Sequence, residues 1–193
     1  MQPSCILAFA GHMIDQAGRK PARFPPEAEA TVRVKIRETI ERLNPIAAVS
    51  PAACGGDILF AEEILRRDTL LYIILPFEDH QAFIEKSVAY AGSQWVERFE
   101  RVRAQATHAP YAVKAGSYQS DQDFEDNQRA IIFFALGLAA AKHVQLISLI
   151  LYDQTLSEYK IGGTHSFYQL CRDLHIPCEH IDLATIRNGA QPH

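Results

Sequence analysis

The segment Ser50-Pro51-Ala52-Ala53-Cys54-Gly55-Gly56-Asp57-Ile58-Leu59-Phe60 constrains this chain most. A short apolar run over 46–49 ends there in small residues, two glycines and an acid. An amphipathic stretch over 57–67 begins at once. The pattern predicts a strand, a tight glycine turn and a helix N-terminus. Free backbone N–H groups and the positive end of the helix dipole meet at such a terminus, so it can hold an anion. Two more junctions share the pattern. Phe9-Ala10-Gly11-His12-Met13-Ile14-Asp15 follows the first apolar run, and Ile161-Gly162-Gly163-Thr164-His165 follows the last long one. Three glycine-bearing strand ends in one α/β chain point to a phosphate or nucleotide pocket.

Strands are expected at 5–10, 46–49, 70–75 and 145–152. Each is apolar throughout, as parallel strands covered on both faces are. Helices are expected at 26–43, 57–67, 94–106, 124–142 and 164–174, with a short one at 80–88. In the first, Val32, Ile36, Ile40 and Leu43 follow the helical 3–4 spacing, and Asn44-Pro45 stops it. Asp57 is a candidate N-cap of the second. Short strands are expected at 111–114 and 179–183, exposed loops at 18–26 and 116–126, and a frayed end at 188–193. Strands alternating with helices predict a three-layer Rossmann-like α/β fold. Its sheet is mostly parallel, with helices on both faces. The 193 residues fit one domain.

The net charge of −4 supplies no basic field for non-specific nucleic-acid binding. Arg33, Lys35 and Arg37 read as a solvated helix face. Cys5, Cys54, Cys171 and Cys178 form no CxxC pair and no zinc-site spacing, so reduced buried thiols and no metal are expected. The apolar run at 130–141 falls well short of the roughly 20 residues a membrane span needs, and it reads as a buried helix. A cytoplasmic location without a membrane partner is expected.

Parallel sheets bind ligands at the C-terminal ends of their strands. Backbone amides at Gly11, Gly55, Gly56, Gly162 and Gly163 are the candidate phosphate cradle. His12 could donate to a phosphate or ribose. Asp15 and Asp153 could each take a ribose hydroxyl or cap a turn, and Thr164 adds a hydroxyl. Cys54, near a helix N-terminus, is either a nucleophile or an inert buried thiol.

Phe9 to Asp15, Ala52 to Glu62, Leu75-Pro76-Phe77 and Gly162-Gly163-Thr164, taken together, resemble a branch of the SLOG superfamily. That superfamily groups DprA-type DNA-processing proteins with LOG-type phosphoribohydrolases. The resemblance spans roughly residues 5–183. It implies a Rossmann-like fold and a pocket for nucleotides or nucleotide-derived ligands, as in the sensor modules of that superfamily. Its enzymes cleave an N-glycosidic bond with a Glu that ends a Gly-Gly-x-Gly-Thr-x-x-Glu motif. Here the further glycine is missing and Phe167 stands where that Glu would be, so Glu62 or Asp15 would have to serve. The first reading is therefore a module that binds a nucleotide or nucleoside phosphate and needs no other cofactor. An N-glycosidase or phosphoribohydrolase-like enzyme is the alternative. A third reading is an assembly module, in which 121–126 and 130–141 contact a second copy or a signalling partner.

Overall fold

The computed structural model describes residues 4–153, 155 and 162–189. Six strands build one sheet: β1 (Cys5–Gly11), β2 (Ala47–Ser50), β3 (Leu70–Leu75), β4 (Tyr111–Ala112), β5 (Gln145–Tyr152) and β6 (Cys178–Asp182). Their spatial order is β4-β3-β2-β1-β5-β6, and every pairing is parallel. The helices are α1 (Glu29–Leu43, preceded by a 3-10 turn at Pro26–Ala28), α2 (Gly56–Leu65), α3 (His80–Phe83), α4 (Gln94–Gln105), α5 (Gln122–Lys142), α6 (Thr164–Asp173) and α7 (Leu183–Gly189). A π turn and a 3-10 turn carry the chain on from α3 to Ala91.

Alternation along the strands divides the core into two layers. Cys5, Leu7 and Phe9 face α1, α2 and α4, while Ile6, Ala8 and Ala10 face α5 and α6. All six are buried, so β1 is covered on both sides. The apolar stretch at 130–141 lies within α5, against the second layer. Among the described residues, no helix is long and apolar enough to cross a membrane.

Three sequence expectations change. Asn188 belongs to α7 rather than to a frayed end, and 190–193 lie outside the described residues. The loop at 18–26 is not simply exposed. Phe24 is fully buried, and the Arg23 and Phe24 N–H groups donate to the Asp15 carboxylate at 2.7 and 2.9 Å. Arg33 and Arg37 are not a free solvated face either. Arg33, Arg37 and Arg66 converge on buried Glu63, and Arg33 and Arg98 hold Glu62. Burial alone would raise the pKa of Glu63. Hydrogen bonds from the three arginines reverse that and hold it at about 2. The network locks α1, α2 and α4 to one another.

The start of α2 lies close against the end of β1. Gly55 has φ +91°, and a Cβ there would sit 2.3 Å from the Ile14 nitrogen. A Cβ on Gly56 would sit 3.0 Å from Gly11 Cα. Gly55→Ala is therefore expected to cost about 2 kcal/mol or more. Gly137 in α5 is the control, because a Cβ there meets nothing within 4 Å. Gly137→Ala is expected to gain about 0.5–1 kcal/mol through helix propensity. Urea denaturation of both variants checks the pair, and similar losses at the two positions would contradict it.

Candidate functional site

Strand β1 pairs with β2 on one side and with β5 on the other. The connection from β1 runs through α1 on one face. The connection from β5 runs through α6 on the opposite face. The two diverge and leave a crevice at the C-terminal ends of β1 and β5. A cleft of about 630 Å³ opens there, within the range of small-molecule sites.

Gly11, His12, Asp57, Gly162, Gly163 and Thr164 all line this cleft. Asp15, Cys54, Gly55 and Gly56 do not. Ile161 lies outside the described residues. Each residue kept off the lining has a structural task. Asp15 holds the 18–26 loop and pairs with Arg19 at 3.2 Å. The Gly56 N–H donates to the His12 carbonyl at 3.1 Å, inside the β1–α2 junction. Cys54 is fully buried, which pushes its thiol up to about 12 and leaves an inert side chain rather than a nucleophile. Asp153 is buried and engaged by Arg187 and Thr155, not open to a ribose hydroxyl.

Asp57 departs from the N-cap expectation. Helix α2 begins one residue earlier, and Gly55 precedes it without a side-chain cap. The Asp57 carboxylate instead accepts from the Ala53 N–H and the Gly11 N–H, each at 3.1 Å. It ties the loop after β2 to the end of β1. Burial raises its pKa to about 7 against the pull of those two amides.

The N-terminus of α6 matches the anion-site expectation more closely. Gly163 precedes the helix without a side-chain cap. Among the described residues, no protein group accepts from the N–H of Gly163, Thr164 or Ser166. Helix α5 positions the turn. Glu125 accepts from the Gly162 N–H at 3.1 Å and from the Ser166 hydroxyl. Gln128 Nε2 donates to the Gly162 carbonyl at 3.2 Å.

Sequence reasoning missed the cations and amides of the lining. Arg19, Arg23 and Lys86 line the cleft, as do Asn127 and Gln128. Arg23 and Lys86 have no ion pair among the described residues. The Arg23 Nε is buried with no acceptor, whereas Lys86 Nζ lies 3.5 Å from the Tyr118 ring centroid. The one available signal was in α5, where Gln128 falls on the apolar stripe that continues through Ile131, Ile132, Ala135 and Ala139. His12 is 5% exposed. Burial first, and then the charge of Arg23, lowers its pKa to about 3, so the ring is neutral at pH 7. Among the described residues, its Nε2 has no hydrogen-bond partner.

Glu62 lies away from the cleft. Arg98 donates to it at 2.8 and 2.7 Å, and Arg33 pairs with it as well. Burial alone would raise its pKa, but these two arginines hold it below the ordinary value. Neither Glu62 nor Asp15 stands where a glycosidic bond in the cleft would need a carboxylate.

No protein-family model matches the chain, and no curated protein matches it in sequence. Solved structures do match. One is DNA processing protein A (DprA) from Streptococcus pneumoniae, at 10% identity and a TM-score of 0.39. That match covers 98% of this chain but only 63% of the DprA chain. Another is the Moco carrier protein from Chlamydomonas reinhardtii, at 10% identity and a TM-score of 0.32. It covers 96% of this chain and 94% of that one.

Two buried groups give the site opposite pH signatures. Between 3.8 and about 7, unfolded Asp57 ionises while the folded residue keeps its proton. Its contribution to stability is therefore lost as pH rises through that window. Between 6.5 and about 3, unfolded His12 takes up a proton that the folded ring refuses, so its contribution is lost as pH falls. The two windows overlap, and a difference measurement separates them. The stability of wild type minus that of Asp57→Asn is expected to decline from pH 4 to pH 7 and level off above about 7. Denaturation midpoints across that range check it, and a constant difference would mean that Asp57 ionises as an ordinary carboxylate.

Proposed function

We propose that this chain binds a nucleotide or phosphorylated nucleoside in the cleft at the C-terminal edge of its parallel sheet. It would act as a ligand-binding module of the sensor or effector kind. The observation that carries this reading is the pairing of unopposed positive groups with open amides. The Arg23 guanidinium, partly buried and without a salt bridge among the described residues, faces the same cleft as the uncapped N-terminus of α6. A buried charge without a partner is costly, and an anion relieves that cost. Helix N-termini favour the same occupant. The cleft volume suits more than a bare phosphate. Neutral polar groups on its wall, His12, Asn127 and Gln128, suit a sugar or a base. The motif resemblance points to the same ligand class.

Calorimetric titration of the purified protein with nucleoside 5′-monophosphates tests the proposal. Saturable binding is expected, weakened about tenfold in Arg23→Ala by loss of a charge-assisted contact. Glu62→Gln is expected to bind as wild type does, because Glu62 belongs to the α1–α2–α4 ion-pair network. Undiminished binding by Arg23→Ala would remove the main support for the proposal. Mass spectrometry of small molecules retained through purification would identify the ligand directly.

A further inference from the structure

Helix α5 presents two adjacent amides to the cleft, Asn127 at 3% exposure and Gln128 at 8%. Gln128 Nε2 donates to the Gly162 carbonyl, which fixes the orientation of that amide and leaves Oε1 as a pure acceptor. Among the described residues, Gln128 Oε1 is buried without a partner, and so is Asn127 Oδ1. His12 Nε2 is a third orphaned polar atom on the same lining. An unsatisfied buried acceptor is destabilising, and proteins seldom retain one without a use. The ionised oxygens of a phosphate ester cannot satisfy it, because they are acceptors themselves. The positive groups of the cleft and its orphaned acceptors therefore ask for different parts of one ligand.

We infer that the uncharged portion of the ligand presents hydrogen-bond donors to Gln128 Oε1, with Asn127 and His12 completing that polar wall. This rests on the nucleotide reading above and narrows it. The ligand is a nucleoside phosphate recognised through an amino group of its base or the hydroxyls of its ribose. A sulfate, which carries no donor, leaves this wall unsatisfied. The acceptors also act as a filter. A site with buried acceptors penalises an otherwise similar ligand that lacks the matching donor.

The test compares three probes on the full chain: adenosine 5′-monophosphate, its 2′-deoxy form, and purine riboside 5′-monophosphate, which has no base N–H. Wild type is expected to bind the first about tenfold or more tightly than at least one of the other two. The analogue that loses affinity identifies the ribose or the base as the source of the donor. In Gln128→Leu, the gap is expected to close, because only the parent nucleotide loses a partner. Asn127→Leu is the second variant, used if Gln128→Leu melts early, and the wild-type comparison stands without either. Equal binding of all three probes to wild type overturns the inference and leaves the nucleotide reading intact. So does a gap that persists unchanged in both folded variants. Failure of all three nucleotides to bind the folded wild type overturns the nucleotide reading, and this inference with it.

Discussion

The Asp57 carboxylate holds the ligand edge of the sheet together. It accepts from the backbone at the end of β1 and from the loop after β2, 46 residues apart in sequence for the longer contact. Those two amides would otherwise point into the crevice without partners. Satisfying them from one buried side chain lets the two strand ends approach, and the paired glycines at 55 and 56 let α2 follow. The cleft owes its floor to this clamp. The same bonds explain why the Gly55-Gly56 turn does not itself cradle an anion. Its Gly56 amide is spent on His12, and its glycines are needed for backbone approach.

Strands β1, β2, β3 and β5 were legible because each is a nearly unbroken apolar run bounded by glycine, proline or polar residues, and each is largely buried. The details that escaped the sequence depend on distant partners. A 3–4 spacing cannot show that Asp57 turns backward to Gly11 rather than forward along α2. Proline and glycine mark the 18–26 loop equally well whether it floats or folds back. Only the capture of its amides by Asp15, together with the burial of Phe24, makes it a wall of the site.

Arginines show the same limit more sharply. Arg33 and Arg98 look no different in sequence from Arg23, yet they do unlike things. The first two meet Glu62, and Arg33 also meets Glu63, so their charge is cancelled within the helical layer. Arg23 has no such carboxylate and borders the cleft. What separates a structural cation from a binding one is the presence of a counterion, and that is a property of the fold. Glu62 illustrates the converse. A helical acid near a glycine turn resembles a catalytic group until its two arginines are seen.

Burial sets the sign of the field in the cleft. It discharges His12, whose ring stays neutral down to about pH 3, and it brings Asp57 to the edge of protonation near pH 7. Among the described residues, Arg23 and Lys86 form no salt bridge. The α6 N-terminus adds a further positive partial charge. The floor thus carries less negative charge than its residue types suggest, while Arg23 and Lys86 are not locked into salt bridges among the described residues. Desolvation thus sets apart the two halves of the proposed site: cations and open amides suited to an anion, and neutral acceptors suited to what that anion would be attached to.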